Sequence, residues 1–329
     1  MLSNRNSLRS QDSKNSIMEK KITISLVVPV YGVEMYIAEF ARSVFSQSYS
    51  HVQYIFVDDG TKDRSIEVLK DVIDNEYPNL KDNIVIVSKD NAGLPAARKT
   101  GLEYVTGDYV YHVDPDDWLS PGSLEAIAEK ALQTDADIIY FNYVKEYENR
   151  SSVKKEREYA AGQKAEYVRN MYNHKSYGTL CNKCIKTELY RHHVLYHPTY
   201  SYAEDCFLSV QLVGRATSLA YLDMDIYHYR KNNPHSLTRQ NRIRRKCEYA
   251  MNFLDLYERY KEVPEDANPV SVIFDDILIQ AGWYSIAYGL NLFEKYPYLS
   301  KAVARSRIRT GSDVWIPCQI ITKLISCFK

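Results

Sequence analysis

The sequence lacks several features that would place it in a common functional class. Lysine plus arginine and aspartate plus glutamate are equal at 42 each, so the net charge is zero. This balance does not favour broad nucleic-acid binding. No apolar run reaches the roughly 18 residues that a membrane-spanning helix needs. No GxGxxG motif follows the first predicted strand and no GxxxxGKS/T motif occurs, which argues against a nicotinamide enzyme and a P-loop NTPase.

Cysteine is also scarce, with six residues among 329. Residues 1–20 are rich in Ser, Asn, Gln and Lys and lack the apolar stretch of a secretory signal, so we interpret them as a disordered leader. Reduced thiols in a cytoplasmic enzyme are then the simplest interpretation. Cys181 and Cys184 form a single CxxC. It predicts zinc only weakly, because no second cysteine pair or nearby histidine pair accompanies it.

Apolar runs alternate with helical patterns through the first part of the chain. The runs, typical of buried parallel strands, are Ile22–Val30, Tyr54–Val57, Ile84–Val87, Tyr109–Val113 and Asp137–Val144. The intervening predicted helices are Met35–Gln47, Asp63–Val72, Leu94–Tyr104 and Pro121–Gln133. This order predicts an α/β fold with a doubly wound, mainly parallel, Rossmann-like sheet. Ligands of such sheets bind at the carboxyl ends of the strands.

The pattern changes after the fifth predicted strand. Residues 145–166 are highly charged and predict a loop, and a helical extension is expected from residue 241 to 329. Its last predicted helix, Val314–Phe328, combines apolar residues with lysines. Such a helix either packs on the core or lies on a membrane surface. Both interpretations remain open.

Two acidic turns follow predicted strands. Asp114-Pro115-Asp116-Asp117 brings together carboxylates that repel one another, and a bound Mg²⁺ or Mn²⁺ would relieve that repulsion and bridge a diphosphate. The alternative is an acidic helix start. Asp59, in Asp58-Asp59-Gly60, is placed to accept hydrogen bonds from a base or a ribose, although Asp-Gly turns after strands are common.

Two further segments offer groups to a nucleotide. Tyr31 follows Pro29 at the end of the first strand, where its ring could stack on a base. Gly93 and Arg98 lie where a predicted helix begins, and backbone N–H groups together with a guanidinium suit a diphosphate. Arg98 as a structural ion-pair residue is an equal alternative.

These pieces resemble the family 2 glycosyltransferases, which have the GT-A fold. The resemblance covers roughly residues 22–240. It rests on five segments in a specific order: Ser25–Tyr31, Ser43–Ser48, Val57–Asp63, Asn91–Arg98 and Gly107–Trp118. It implies an inverting enzyme that moves a sugar from a nucleotide sugar, by default a UDP sugar, with the help of Mn²⁺ or Mg²⁺. The implied acceptor is a hydroxyl of a glycan or lipid-linked glycan, in capsule or surface polysaccharide synthesis. The implied location is cytoplasmic, either free in the cytoplasm or peripheral on the inner face of the membrane.

The resemblance also implies roles for single residues. Pro29, Tyr31 and Asp59 would hold the nucleobase, Asp116 would bind the metal directly, and Asp114 would support the ribose or the metal. Tyr202-Ala203-Glu204-Asp205 resembles the family's Glu-Asp motif, in which Asp205 is the expected general base beside Glu204. His228 is a candidate metal ligand, and Arg230 or Arg239 a phosphate contact. Asn182-Lys183 resembles a stretch near the acceptor.

The resemblance also predicts how the chain is divided. Residues 21–120 would bind the nucleotide sugar, and residues 121–240 would form the acceptor half of the same domain. Three rival interpretations remain. An aspartate-nucleophile phosphatase would need Thr or Val after the second Asp, where Asp117 stands, and a nucleotidyltransferase would need a glycine-rich basic loop after the first strand. The third rival is a binding module without activity.

Overall fold

The computed structural model describes residues 21–193, 195–233, 242–309 and 315–317. The expected leader, residues 1–20, and Arg239 lie outside this part of the chain. So does most of the predicted helix Val314–Phe328. The described piece of that helix is wrong as predicted, because Trp315–Pro317 is a short strand paired antiparallel with Arg307–Arg309. Trp and Ile favour strands, and the pairing gives hydrogen-bond partners to backbone groups of both segments.

A mixed sheet forms the centre of the fold, and the predicted mainly parallel α/β class is confirmed. Within the described residues its nine strands are β1 (Ile24–Val30), β2 (Val52–Asp58), β3 (Ile84–Ser88), β4 (Tyr109–His112), β5 (Trp118–Leu119), β6 (Ile138–Tyr147), β7 (Arg150–Lys154), β8 (Lys183–Lys186) and β9 (Leu219–Arg230). The order across the sheet is β3-β2-β1-β4-β8-β6-β9-β5, with β7 beside β6. The first four strands in this order run parallel, and β8 is antiparallel to both of its neighbours.

Helices cover both faces of the sheet and continue beyond it. They are α1 (Ile37–Phe45), α2 (Ser65–Glu76), α3 (Leu94–Leu102), α4 (Ser123–Thr134), α5 (Lys164–Tyr172), α6 (Thr187–Arg191), α7 (Glu204–Arg215), α8 (Arg242–Tyr260), α9 (Phe274–Tyr288), α10 (Leu292–Lys295) and α11 (Leu299–Arg305). Short 3₁₀ helices occupy Pro78–Asn83, Ala161–Gln163 and Ser271–Ile273. Among the described residues, no helix combines the length and the apolar character needed to cross a bilayer.

The core is divided by the sheet. On one face α1 and α2 pack on β1 and β2, and α4 packs on β6 and β9. Every residue of β1 is buried, as its continuous apolar run predicts. A smaller cluster lies under α3 on the other face. A third cluster joins α5 and α7 to the helical region after residue 241. The C-terminal helices therefore share a core with α7, the helix that carries the Glu-Asp motif.

The predicted loop at residues 145–166 is wrong in its first half. β6 continues to Tyr147 and returns as β7, with Tyr143 paired to Lys154 and Tyr147 to Arg150. The charged composition hid this hairpin because β7 is an edge strand whose side chains are largely solvated.

Candidate active site

An open cleft of about 1070 Å³ lies at the carboxyl ends of the central strands. Nine of the ten candidate site residues line it: Pro29, Tyr31, Asp59, Gly93, Arg98, Asp114, Asp116, Glu204 and Asp205. They come from five separate segments, so the sheet brings together groups that are up to 176 positions apart in the sequence. The tenth, His228, does not line the cleft.

Asp59 fixes one end of the cleft. Its Oδ1 accepts hydrogen bonds from Lys89 Nζ at 2.6 Å and from the Ala92 backbone N–H at 3.0 Å, and its Oδ2 accepts from Gly93 N–H at 2.8 Å. Gly93 has a φ of 86°, a conformation that favours glycine, and α3 begins directly after it. The buried carboxylate therefore shapes the loop that leads into α3.

The turn after β1 lies beside Asp59 and is fixed by two hydrogen bonds. Gly32 N–H donates to Thr61 Oγ1 at 2.9 Å, and Glu34 N–H donates to Asp63 Oδ2 at 3.0 Å. These bonds fasten the turn to the start of α2, so that Tyr31 stays at the surface with 52% of its area exposed. An exposed aromatic ring beside a buried carboxylate suits stacking and edge recognition of a nucleobase.

Arg98 lies buried between two carboxylates. Its Nη2 donates to Asp114 Oδ1 at 2.7 Å, and its Nη1 pairs with Glu204 Oε1. Burial raises the pKa of Glu204 even against the attraction of Arg98. Arg98 therefore makes the structural ion pairs that the sequence offered as one alternative, and these pairs join the Asp114–Asp117 turn to the start of α7. Its contact with a diphosphate stays a prediction.

The last aspartate of the Asp114–Asp117 turn connects that turn to β9. Asp117 Oδ2 accepts from Tyr227 Oη at 2.5 Å, and Asp117 Oδ1 accepts from Arg230 N–H at 2.7 Å. Asp116 is held differently, since its Oδ2 accepts from Asn233 Nδ2 at 2.8 Å. Asp117 thus fixes the turn, while Asp114 and Asp116 line the cleft.

Asp114 and Asp116 suit a divalent cation that takes its remaining ligands from a substrate. Burial and then the Asp114 carboxylate raise the pKa of Asp116, so a cation at this point would relieve an unfavourable charge. Among the described residues no group of three His, Cys, Asp or Glu side chains could hold a metal by itself. Magnesium-like ions are commonly held by one or two carboxylates plus phosphate oxygens, which is what this pair offers.

Asp205 lies in the first turn of α7 and faces the cleft. Ala203, just before the helix, has a φ of 58°, which turns the chain sharply at this point. The Asp205 Oδ1 accepts from Cys206 N–H at 2.8 Å, and no described protein group bonds to its Oδ2. Burial raises the pKa of Asp205 and Arg98 opposes that rise. A carboxylate of raised pKa with one open oxygen suits proton abstraction.

His228 is not brought to the metal position, so we do not carry it forward as a ligand. Its ring nitrogens lie 2.8 Å from Ser120 Oγ and 2.7 Å from Glu146 Oε1, and its ring stacks on Trp118 at 5.1 Å. The reason is strand alternation, because neighbouring residues of a strand point to opposite faces. Tyr227 and Tyr229 face the acidic turn and the cleft, and His228 points away.

Arg230 is also engaged away from the cleft. Its Nη2 donates to Glu39 at 2.6 Å, its Nε donates to the Asp116 carbonyl at 2.8 Å, and its guanidinium lies over the Trp118 ring. We therefore do not carry it forward as a phosphate contact.

Asn182 and Lys183 support the cleft from beneath. Lys183 Nζ is buried and donates to the carbonyls of Tyr177 and Thr179 at 2.7 and 2.8 Å, and to Asn182 Oδ1 at 2.8 Å. Burial lowers the pKa of Lys183 to about 8. The segment it holds lines the cleft beside Asp205.

Sequence reasoning missed Asn233 and Lys145, which also line the cleft. Neither belongs to a motif: Asn233 is recognisable only from its bond to Asp116, and Lys145 only from the alternation of β6 once that strand is known to extend past Val144.

Comparison with known proteins adds to this geometry. The family model for glycosyl transferase family 2 matches residues 25–195, slightly more than half of the chain. The uncharacterized glycosyltransferase EpsJ of Bacillus subtilis is 29% identical over 221 residues, which are 65% of this chain and 62% of EpsJ. The chain spans between 17% and 62% of the length of three curated relatives that it matches.

Two solved structures are similar in fold. The S. aureus TarS fragment 1–349 in complex with UDP-GlcNAc has a TM-score of 0.62 at 19% identity, over 86% of this chain and 80% of that one. The mannosyltransferase PcManGT of Pyrobaculum calidifontis, in complex with GDP-Man and Mn²⁺, has a TM-score of 0.54 at 14% identity, over 94% and 81%.

Proposed function

The chain belongs to glycosyl transferase family 2, and on that premise we propose that it is an inverting enzyme acting on a UDP sugar. The acceptor is the hydroxyl of a glycan or lipid-linked glycan of a capsule or surface polysaccharide, used at the inner face of the membrane. The observation that carries this proposal is the single cleft in which Tyr31 and Asp59, the Asp114–Asp116 pair and Asp205 meet. These groups offer a base site, a metal and diphosphate site, and a proton acceptor in one space.

The donor would bind with its base at the β1 and β2 end. Tyr31 stacks on the base, and the loop shaped by Asp59 presents the edge groups around Gly93 and Pro29 to it. UDP is supported by the UDP-GlcNAc complex of TarS, and a divalent cation by the Mn²⁺ complex of PcManGT. Asp116 and Asp114 would hold that cation, which when bound offsets the charge of the departing diphosphate.

The transfer is a single displacement. The acceptor oxygen forms a bond to the anomeric carbon, the bond from that carbon to the diphosphate oxygen breaks, and the hydroxyl proton passes to Asp205. One base acting opposite the leaving group inverts the anomeric configuration. Glu204 takes no proton in this account, because it is the buried partner of Arg98 and positions Asp205 and Asp114 around it.

A ligand panel tests the proposal. Thermal unfolding is followed with UDP, GDP, CDP and their sugars, each with Mn²⁺ and with EDTA. A ligand that binds only the folded state raises the unfolding temperature by mass action. We expect a Mn²⁺-dependent shift with UDP that grows with one UDP sugar. If none of the nucleotides raises the unfolding temperature of the folded protein, the proposal is wrong, and a family member without activity becomes the better interpretation.

A further inference from the structure

A patch of lysines, formed by Lys145 and Lys231, lies on the cleft face of the sheet. Lys145 in β6 is paired with Tyr229 in β9, and the Lys231 N–H donates to the Glu146 carbonyl at 2.8 Å. Residues two positions apart share a face of a strand, so Lys145 and Lys231 point the same way as Tyr143 and Tyr229. All four residues line the cleft.

The β7 hairpin adds a third cation to the same face. Lys154 is paired with Tyr143, which stands two residues before Lys145 on β6. Glu146, the one acidic residue of β6, alternates to the other face and meets His228 there. The hairpin thus concentrates positive charge on the cleft side of the sheet.

The charge of Lys145 is not balanced within the described residues. Lys145 makes no ion pair with a carboxylate there, and its ammonium lies 5.8 Å from the centre of the Tyr143 ring. Partial burial lowers the pKa of Lys145, and the neighbouring cations Lys231 and Lys154 lower it further. Partly buried like charges are costly unless an anion joins them.

We propose that Lys145 and Lys231 form a phosphate-binding subsite of the cleft. Converging cations match a doubly charged phosphate better than a single carboxylate, and lysine binds phosphate as a compact point charge. The phosphate belongs either to the donor diphosphate or to a phosphate carried by the acceptor. This inference rests on the proposed function and deepens it, since it makes a phosphate group part of what the cleft recognises.

Two binding arms at constant ionic strength test the subsite. In the first, UDP and uridine are titrated into the protein with Mg²⁺. In the second, the rise in unfolding temperature caused by inorganic phosphate, relative to chloride, is measured with and without saturating UDP. The variants are Lys145→Met and Lys231→Met, which keep the length of the side chain. The control is Lys70→Met, which removes one charge from the exposed face of α2.

We expect each cleft variant to lose at least about tenfold in its affinity for UDP or for inorganic phosphate, as for a lost charge-assisted contact. Weaker UDP binding with unchanged uridine binding assigns the phosphate to the donor. Loss of phosphate stabilisation with unchanged UDP binding assigns it to the acceptor. If both cleft variants match Lys70→Met in both arms, the subsite is refuted. If the wild-type protein binds no nucleotide, that result contradicts the proposed function and not the subsite. The stabilisation by inorganic phosphate in the absence of UDP then still tests whether Lys145 binds phosphate.

Discussion

The Arg98 guanidinium joins Asp114 to Glu204, with 2.7 Å between its Nη2 and Asp114 Oδ1. Asp114 follows β4 and Glu204 begins α7, so one buried cation connects the acidic turn to the helix that carries Asp205. The geometry of the cleft and the stability of the fold therefore depend on the same side chain.

Replacing Arg98 should destabilise the protein strongly. Arg98→Met keeps much of the volume but leaves Glu204 buried without its partner, and breaking a buried pair in this way typically costs about 3–5 kcal/mol. Urea unfolding followed by circular dichroism measures the loss. The matched control is Arg42→Met, which removes the exposed pair with Glu76 and should cost far less. Equal losses in the two variants would show that the Arg98 pair is not a structural junction.

Removing the proposed base should separate binding from turnover. Asp205→Asn keeps the shape of the side chain but cannot take the acceptor proton, so we expect transfer to fall by about a hundredfold or more. Nucleotide affinity should stay within about twofold, because Asp205 does not contact the base end. Release of UDP on an active donor and acceptor pair measures turnover, with Asp71→Asn on the surface of α2 as the control. A normal rate for Asp205→Asn would remove the residue from the mechanism.

The packing of the helical region after residue 241 against α7 should depend on Gly214. This residue lies in α7, and a Cβ there would overlap the backbone carbonyl of Pro269. Since a backbone carbonyl cannot rotate away, Gly214→Ala should lower the free energy of unfolding by about 1–3 kcal/mol. Gly162→Ala is the matched control, because a Cβ at Gly162 would meet no atom within 4 Å. If urea unfolding gives both variants the wild-type stability, the packing of α7 against Pro269 is looser than described.

Acid should destabilise the protein partly through His174. Burial lowers the pKa of His174 below its usual 6.5. Between that lowered pKa and pH 6.5 the unfolded chain binds more protons than the folded one, so this contribution to stability is lost as the pH falls through the window. His174→Asn removes the titration, and asparagine tolerates the φ of 57° found there. Urea unfolding at pH 7.5 and 5.5 should show a smaller loss for the variant, whereas an unchanged loss would exclude His174 as a contributor.

The sequence predicts those parts of the fold whose cause is local. The seven residues of β1 are all buried, and their continuous apolar run indicates a central strand without further information. β7 escapes such reasoning because Arg150–Lys154 is an exposed edge strand, defined only by its pairing with β6. The short strand Trp315–Pro317 likewise depends on its partner, Arg307–Arg309.

The candidate site follows the same division. Asp59, Asp114, Asp116 and Asp205 stand in recognisable motifs, and the fold gathers them at one edge; their roles remain predictions. His228 has a suitable side chain for a metal, but only the alternation of β9 reveals that it points to Ser120 and Glu146. Lys145 belongs to no motif, and its place in the proposed phosphate subsite follows only from Lys231, which lies beside it on the same face.

The metal and diphosphate site is tested by calorimetric titration of UDP into wild type and Asp116→Asn, each in the presence of Mn²⁺ and in the presence of EDTA. We expect Mn²⁺ to strengthen UDP binding to wild type at least about tenfold and to have little effect on UDP binding to Asp116→Asn, since the variant loses a direct ligand. Circular dichroism confirms that the variant is folded. Equal Mn²⁺ dependence in the two proteins would contradict the metal and diphosphate site on which the proposed transfer depends.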